Sequence, residues 1–251
     1  MSTKSPRPAL SSRKMEKLVG TFDRILKRSG DLLSDRFGEE TAAEMRGEML
    51  DEYRRLIPEI PYIGGRRNIY SGDLSFSAWA LAIYRVVVRH GGTLEDTGEL
   101  IHQMVRAQIE RVPQVVRSLL KRYRFSRMRW RQLERAARRS QARQYPGDWV
   151  FEFVEGDGET FDFGIDMSEC GIVKFLNAQG ADELTPYGCD LDYVTAEAMG
   201  VGLRRTKTLA WGCDRCDFRL SKQGATPAPW PPKFVEQTCG QPQTEKPTAV
   251  S

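Results

Sequence analysis

Phe161–Tyr193 reads FDFGIDMSECGIVKFLNAQGADELTPYGCDLDY, and the change of period inside this stretch decides the fold. Phe161, Phe163 and Ile165 fall on one side and Asp162 and Asp166 on the other, the period-2 pattern of a half-buried strand. Ser168-Glu169-Cys170 interrupts the alternation, and Ile172, Val173, Phe175 and Leu176 follow at helical spacing. With Ser168 as N-cap, the spacing predicts Cys170 in the first turn of a helix. A thiol there feels the positive end of the helix dipole, which lowers its pKa and favours the nucleophilic thiolate. Glu169 beside it and Lys174 one turn on add a carboxylate and an amine at the same strand-to-helix junction. The competing reading is a small buried cysteine beside a solvated acid.

On the N-terminal side, Trp149–Val154 is β-rich, and Gly156-Asp157-Gly158 is a turn signal, so a hairpin with 161–166 is expected. On the C-terminal side, the helix from Ser168 ends near Gly180, and Thr185-Pro186-Tyr187-Gly188 reads as a turn. A short helix then runs from Asp190 to Gly200, and two strands, 201–211 and 218–220, flank a turn at 212–214. Residues 12–147 instead carry helical periodicity. Leu18, Phe22, Ile25 and Leu26 mark a first helix, and 31–56 a second, broken near Gly38. The loop Ile57–Gly65, with two prolines and a Gly-Gly pair, is apolar enough to pack against something, either closing a site or meeting another subunit. Residues 74–90 are apolar nearly all round, a buried helix, and Thr93-Leu94-Glu95-Asp96 opens the next with a capping box. His102 within it reads as a packing or surface residue. The class is α+β, an N-terminal helical layer packed on a C-terminal antiparallel sheet with crossing helices. The expected organisation is a disordered tail at 1–11, a helical region at 12–147, an α+β region at 148–222 and a Pro-rich disordered tail at 223–251.

Charge is split along the chain. Residues 1–147 carry a balance of +12 and the remainder −8, so a basic helical half docked on an acidic half is expected. Residues 111–143 hold 12 Lys/Arg and the single acid Glu134, with Val116, Leu119, Tyr123, Met128, Leu133 and Ala137 as the expected buried face. Without a recognised nucleic-acid module, this segment reads as an amphipathic helix pair, and nucleic acid is not expected as a partner. The N-terminus has no apolar signal core, and the most apolar run, 78–88, contains Arg85 and falls short of a membrane span, so a soluble cytoplasmic protein with no membrane partner is expected. Five cysteines at sparse spacing suggest no disulfide framework. Two histidines argue against a His-rich catalytic metal centre. Cys213-x-x-Cys216 resembles half of a zinc knuckle, which Cys170 and Cys189 would complete, but their spacing is not that of the second half; no metal or cofactor is expected.

Several blocks together carry a resemblance. They are Trp149-Val150-Phe151-Glu152, Phe161-Asp162-Phe163-Gly164-Ile165-Asp166, Glu169-Cys170 and Lys174-Phe175; then Gly180-Ala181-x-Glu183-Leu184-x-Pro186-Tyr187, Cys189-Asp190-Leu191-Asp192-Tyr193, Met199-Gly200-x-Gly202-Leu203-x-Arg205-Thr206 and Cys216-Asp217-Phe218-Arg219. The chain resembles the L-2-amino-thiazoline-4-carboxylic acid hydrolase family, densely over 149–220. Upstream, Ile57-Pro58-x-Ile60-Pro61-Tyr62-Ile63-Gly64-Gly65 and Asn68 resemble it more loosely. The resemblance implies hydrolytic opening of a small cyclic amidine to a carbamoyl-cysteine on the way to cysteine. Such chemistry needs a nucleophile for the ring carbon between sulfur and two nitrogens, a carboxylate for the amidinium, and a cation, preferably arginine, for the substrate carboxylate. Cys170 is the candidate nucleophile, Glu169 the base or amidinium partner, Lys174 the stabiliser of the adduct or thiolate, and Asp166 a further acid. Asp190, Asp192, Arg205, Arg219, Tyr62 and Asn68 are candidate substrate contacts. The partner expected is a small-molecule substrate, with a homo-oligomer open. Competing classes are a related enzyme acting on another heterocycle in a biosynthetic pathway and a non-catalytic small-molecule sensor module.

Overall fold

The computed structural model describes residues 12–226 and Cys239; the tail expected at 1–11 and most of that expected at 223–251 lie outside the described residues. The first helix, α1 (Ser12–Arg28), buries the expected Phe22 and Leu26 together with Val19, while the expected Leu18 and Ile25 are partly buried against the same core. The break expected near Gly38 is present: that residue takes φ 83°, a conformation glycine adopts without strain, and separates α2 (Gly30–Phe37) from α3 (Glu39–Leu56). Met45, Met49, Tyr53 and Leu56 line the buried face of α3. Phe22 stacks on Trp79 at 5.5 Å, and Tyr53 meets both rings edge-on. The apolar loop does pack inward. A 3-10 turn at Ile57–Glu59 and a second at Gly65–Arg67 frame it, and Ile57, Ile60 and Ile63 join the core.

α4 (Ser71–Arg89) and α5 (Leu94–Glu110) follow as expected, the latter with a capping box in which Thr93 and Asp96 bond each other's backbone. α6 (Gln114–Arg124) departs from expectation, because it buries none of its residues. Val115 is 72% and Leu119 59% exposed, and Val116, Tyr123 and Met128 are exposed too; of the expected apolar face only Leu133 and Ala137, on α7 (Arg127–Ser140), are buried. Instead, α6 docks through its charges: Arg117 donates to the Ala198 carbonyl at 2.8 Å and Lys121 to that of Gly200, at the C-terminal end of a later helix, where carbonyls lack intrahelical partners. Ion pairs Arg106–Glu197 and Arg143–Glu169 also link the basic half to the acidic half.

The sheet is antiparallel in the order β1-β2-β4-β3, from β1 (Val150–Glu155), β2 (Phe163–Glu169), β3 (Gly202–Arg204) and β4 (Cys216–Ser221). β1 and β2 form the expected hairpin. Three local expectations are corrected. β2 runs through Ser168 to Glu169, so Ser168 is a strand residue and Cys170 itself is the N-cap of α8 (Gly171–Ala178). The turn expected at 185–188 is the first turn of α9 (Thr185–Ala198), because Pro186 at the helix start is compatible with helix there. Residues 209–211 form a 3-10 turn rather than strand. One buried cluster runs from Val19 through the helices to Trp149, Met167 and Cys216, so helical layer and sheet share a core. Among the described residues no helix is long and apolar enough to cross a membrane.

Candidate active site

A cavity of about 530 Å³ lies between the inner face of the sheet and the helical layer. The pleat decides which strand residues reach it: Phe163, Ile165 and Met167 of β2 and Cys216, Phe218 and Leu220 of β4 face inward. Asp166 and Arg219, one residue out of phase, pair with each other at 2.6 Å and are absent from the lining. The helical layer contributes Asp73 and Phe76 from α4, Val105 from α5, Arg124 from α6 and Arg129 from α7. Gly188, Cys189, Leu191, Asp192 and Thr195 come from α9.

Cys170 lines this cavity at the start of α8. Its placement depends on Gly171, where an added Cβ would lie 2.6 Å from the Trp149 ring and 2.7 Å from the Gly147 carbonyl; only glycine lets the turn close against that wall. Backbone N–H groups of Val173 and Ile172 favour the thiolate, as a helix N-terminus should, but burial outweighs them and pushes the thiol up to about 12. The depressed thiol pKa expected from the helix dipole is therefore corrected: desolvation outweighs the helix N-terminus. Cys189 is likewise pushed up to about 12 by burial, and Cys216 is raised for the same reason. The Thr208 hydroxyl lies 3.8 Å from the Cys189 sulfur and 3.4 Å from that of Cys216.

Two carboxylates share the cavity with Cys170. Asp73 sits in the first turn of α4, and burial, with the charge of Asp192 added, pushes its carboxyl up to about 6. Asp192 is raised by burial, opposed by Arg205 and Arg124. Its side chain keeps 47% of its surface accessible although protein surrounds it, as a group facing an interior space should. The guanidinium groups divide into two kinds. Arg205 is fully buried and committed: it donates to Asp192 at 2.9 Å and to the Cys189 carbonyl at 3.1 Å, and lies over the Tyr193 and Phe218 rings. Arg124 and Arg129 form no ion pair among the described residues, and the contact from Arg129 to Gln132 is long at 3.5 Å. Burial lowers the pKa of Arg124. Tyr70, stacked on Trp149 at 4.8 Å, completes the polar surface, its phenol held protonated by burial.

The other sequence candidates lie elsewhere. Glu169 binds Lys174 and Arg143, which hold its carboxyl below the usual range, and Lys174 also donates to the Asp148 carbonyl at 2.8 Å. Neither Glu169 nor Lys174 lines the cavity that Cys170 enters; the register of β2 with β1 shifts at Ser168, so the alternation that points Met167 inward does not carry on to Glu169. Asp190 is buried against His102 at 3.3 Å, its carboxyl pushed up to about 7 by burial. Tyr62 meets Tyr145 edge-on at 5.4 Å. Asn68 holds Asp148 and the Ile63 carbonyl, each at 2.8 Å, and faces a second cavity of about 340 Å³. Of the residues singled out from the sequence, the cavity gathers Cys170, Asp192 and Arg205. Sequence reading missed Tyr70, Asp73, Arg124 and Arg129. The signal for the arginines was the acid-poor run at 111–143, and for Asp73 an acid opening an otherwise apolar helix.

The cysteines do not build a knuckle. Cys213 is joined to Cys239 in a disulfide, which also corrects the expectation of reduced thiols throughout, and no group of three or more metal-ligating side chains occurs among the described residues. A family model described as L-2-amino-thiazoline-4-carboxylic acid hydrolase matches residues 73–220, from the cavity acid Asp73 to the cavity residue Leu220. No curated protein and no solved structure matches.

Proposed function

Because the chain belongs to the L-2-amino-thiazoline-4-carboxylic acid hydrolase family, we propose that it hydrolyses a small cyclic amidine carboxylate of the 2-amino-thiazoline type to a carbamoyl-cysteine, with the 530 Å³ cavity as active site. The observation that carries this reading is the pairing of charges there. Two carboxylates, Asp73 and Asp192, and two guanidinium groups with no ion pair among the described residues, Arg124 and Arg129, face the same space as the Cys170 thiol. A zwitterion with an amidinium at one end and a carboxylate at the other meets both demands. Arg124 and Arg129 bind the carboxylate; Asp192 and Asp73 face the amidinium.

Cys170 Sγ attacks the ring carbon between sulfur and the nitrogens, and Asp73 takes the thiol proton. Bond formation to that carbon moves the amidine π electrons onto nitrogen. One ring bond to the carbon then breaks and its leaving atom takes a proton. Water attacks the thiol-bound carbon, and expulsion of Cys170 leaves the carbamoyl group. Burial holds the thiol protonated. A bound amidinium within a few Å supplies the counter-charge that makes the thiolate affordable, so the nucleophile ionises only when substrate is present. The same high pKa favours one second reading, in which Asp73 activates water directly and Cys170 only lines the site; an acid near pH 6 is well tuned as a base at neutral pH.

The test is mass-resolved turnover of L-2-amino-thiazoline-4-carboxylate. The wild type should form carbamoyl-cysteine, and Arg124→Met should raise KM roughly 10- to 100-fold, the loss of a hydrogen bond between charged groups. An unchanged KM would remove Arg124 from the carboxylate site. The pH profile follows from Asp73. Its carboxyl must be deprotonated to accept a proton, so kcat/KM should rise with pH through about 6 and level off above it. Asp73→Asn should remove that limb along with most activity; a limb that persists in the variant assigns it to another group.

A further inference from the structure

The cavity is too large and too apolar for the family's named substrate alone. That molecule has nine non-hydrogen atoms; even at about 30 Å³ per atom, the share of a water molecule in the liquid, it fills about half of the space. A cavity of about 530 Å³ instead falls in the range of about 300–1,000 Å³ that holds drug-sized ligands. The surplus space has a defined chemistry. Cys216 pairs with Met167 across the sheet, and both face the cavity near Cys170. From that row the inward residues continue as Ile165 beside Phe218 and then Phe163 beside Leu220, a run of about 13 Å along the strands with no polar side chain. Across from the sheet, Phe76 stands three residues beyond Asp73 on α4, and α5 adds Val105. Phe76, Val105, Ile165 and Phe218 are each only partly buried by protein, so their remaining surface is open to a ligand.

We propose that the substrate of this protein is an amidine heterocycle carrying an apolar substituent, a hydrocarbon or aryl group of roughly six carbon atoms, which lies along Ile165 and Phe218 and under Phe76 and Val105. The proposal deepens the ring-opening reading and rests on it for the head group only. The apolar arm selects the substituent through area removed from water, which strengthens binding about three- to fourfold for each buried methylene.

The experiment measures dissociation constants by calorimetry for two ligand series on the full chain. One series is 2-amino-thiazoline-4-carboxylate and its ethyl and hexyl derivatives on the exocyclic nitrogen; the other is propanoate, hexanoate and octanoate. The hexyl thiazoline should bind at least tenfold more tightly than the ethyl one, and octanoate more tightly than propanoate. Val105→Asn should reduce both gains. Should that variant not fold, the two wild-type series decide. A length dependence confined to the plain carboxylates upholds the apolar arm and overturns the thiazoline head group. No length dependence in either series overturns the apolar arm and leaves the ring-opening reading standing for the small parent compound.

Discussion

Cys170→Ser is expected to lower the turnover of L-2-amino-thiazoline-4-carboxylate by at least about a thousandfold while leaving the protein folded. The side chains are close in size, so neither the N-cap position of α8 nor the contact of Gly171 with Trp149 is disturbed. What is lost is a sulfur nucleophile whose ionisation the substrate itself promotes. A hydroxyl in the same desolvated place is far harder to ionise, and no histidine stands in the cavity lining to assist it. Circular dichroism and melting temperature should match the wild type, and mass-resolved product formation reads the effect. Activity within tenfold of wild type would assign the attack to water activated by Asp73. A binding module separates from both enzymes in the same samples. Such a protein binds the thiazoline with and without the thiol and turns over neither.

The fold was legible where one physical signal dominates a segment. The 3.6-residue stripes of α1 and α3, the Gly38 break, the Thr93–Asp96 capping box and the alternation of β2 all read directly from neighbours in sequence. Errors came where two local signals compete. Ser168 is a good N-cap residue, but strand pairing with β1 extends past it, and the helix begins two residues later than its own propensity suggests. Pro186 reads as a turn residue and as a first-turn helix residue alike, and packing of α9 on α5 decides for helix.

The site was legible only in part, for a different reason. Sequence proximity grouped Glu169, Cys170 and Lys174, yet β2 carries an extra residue at Ser168, where its register with β1 shifts, so the alternation that points Met167 inward is broken before Glu169 and it is Cys170 that enters the cavity. Two of the cations that reach the cavity, Arg124 and Arg129, lie more than forty positions upstream of Cys170, in a basic run whose meaning depends on where α6 and α7 dock. Charge composition shows that such a run must be solvated or paired; it does not show that Arg124 and Arg129 turn inward while their helical neighbours stay outside. Burial likewise reverses the expectation for the thiol, because the dipole of a short helix is a local property and the desolvation around Cys170 is a property of the whole cavity.

Arg205→Met should cost about 2–3 kcal/mol of stability, a drop in melting temperature of roughly 5–10 °C. Arg205 is completely enclosed, and its contacts tie two pieces of the site wall together: Cys189, Asp192 and Tyr193 on α9, and Phe218 on β4. Methionine replaces much of the volume but none of the charge, so it leaves Asp192 facing the cavity without its 2.9 Å partner. Asp192 keeps 47% of its side-chain surface accessible, so the penalty is chiefly the loss of the hydrogen bonds the guanidinium makes, and adding Asp192→Leu should return part of it by removing the carboxylate left unpaired. Thermal unfolding of both single variants and the double variant measures this coupling. A loss below about 1 kcal/mol in Arg205→Met would mean that the ion pair is dispensable to the fold. Arg205 would then be free to turn toward a ligand carboxylate, and the assignment of that role to Arg124 and Arg129 would have to be shared with it. A full loss would assign Arg205 to holding the wall and leave Arg124 and Arg129 as the proposed ligands of the substrate carboxylate.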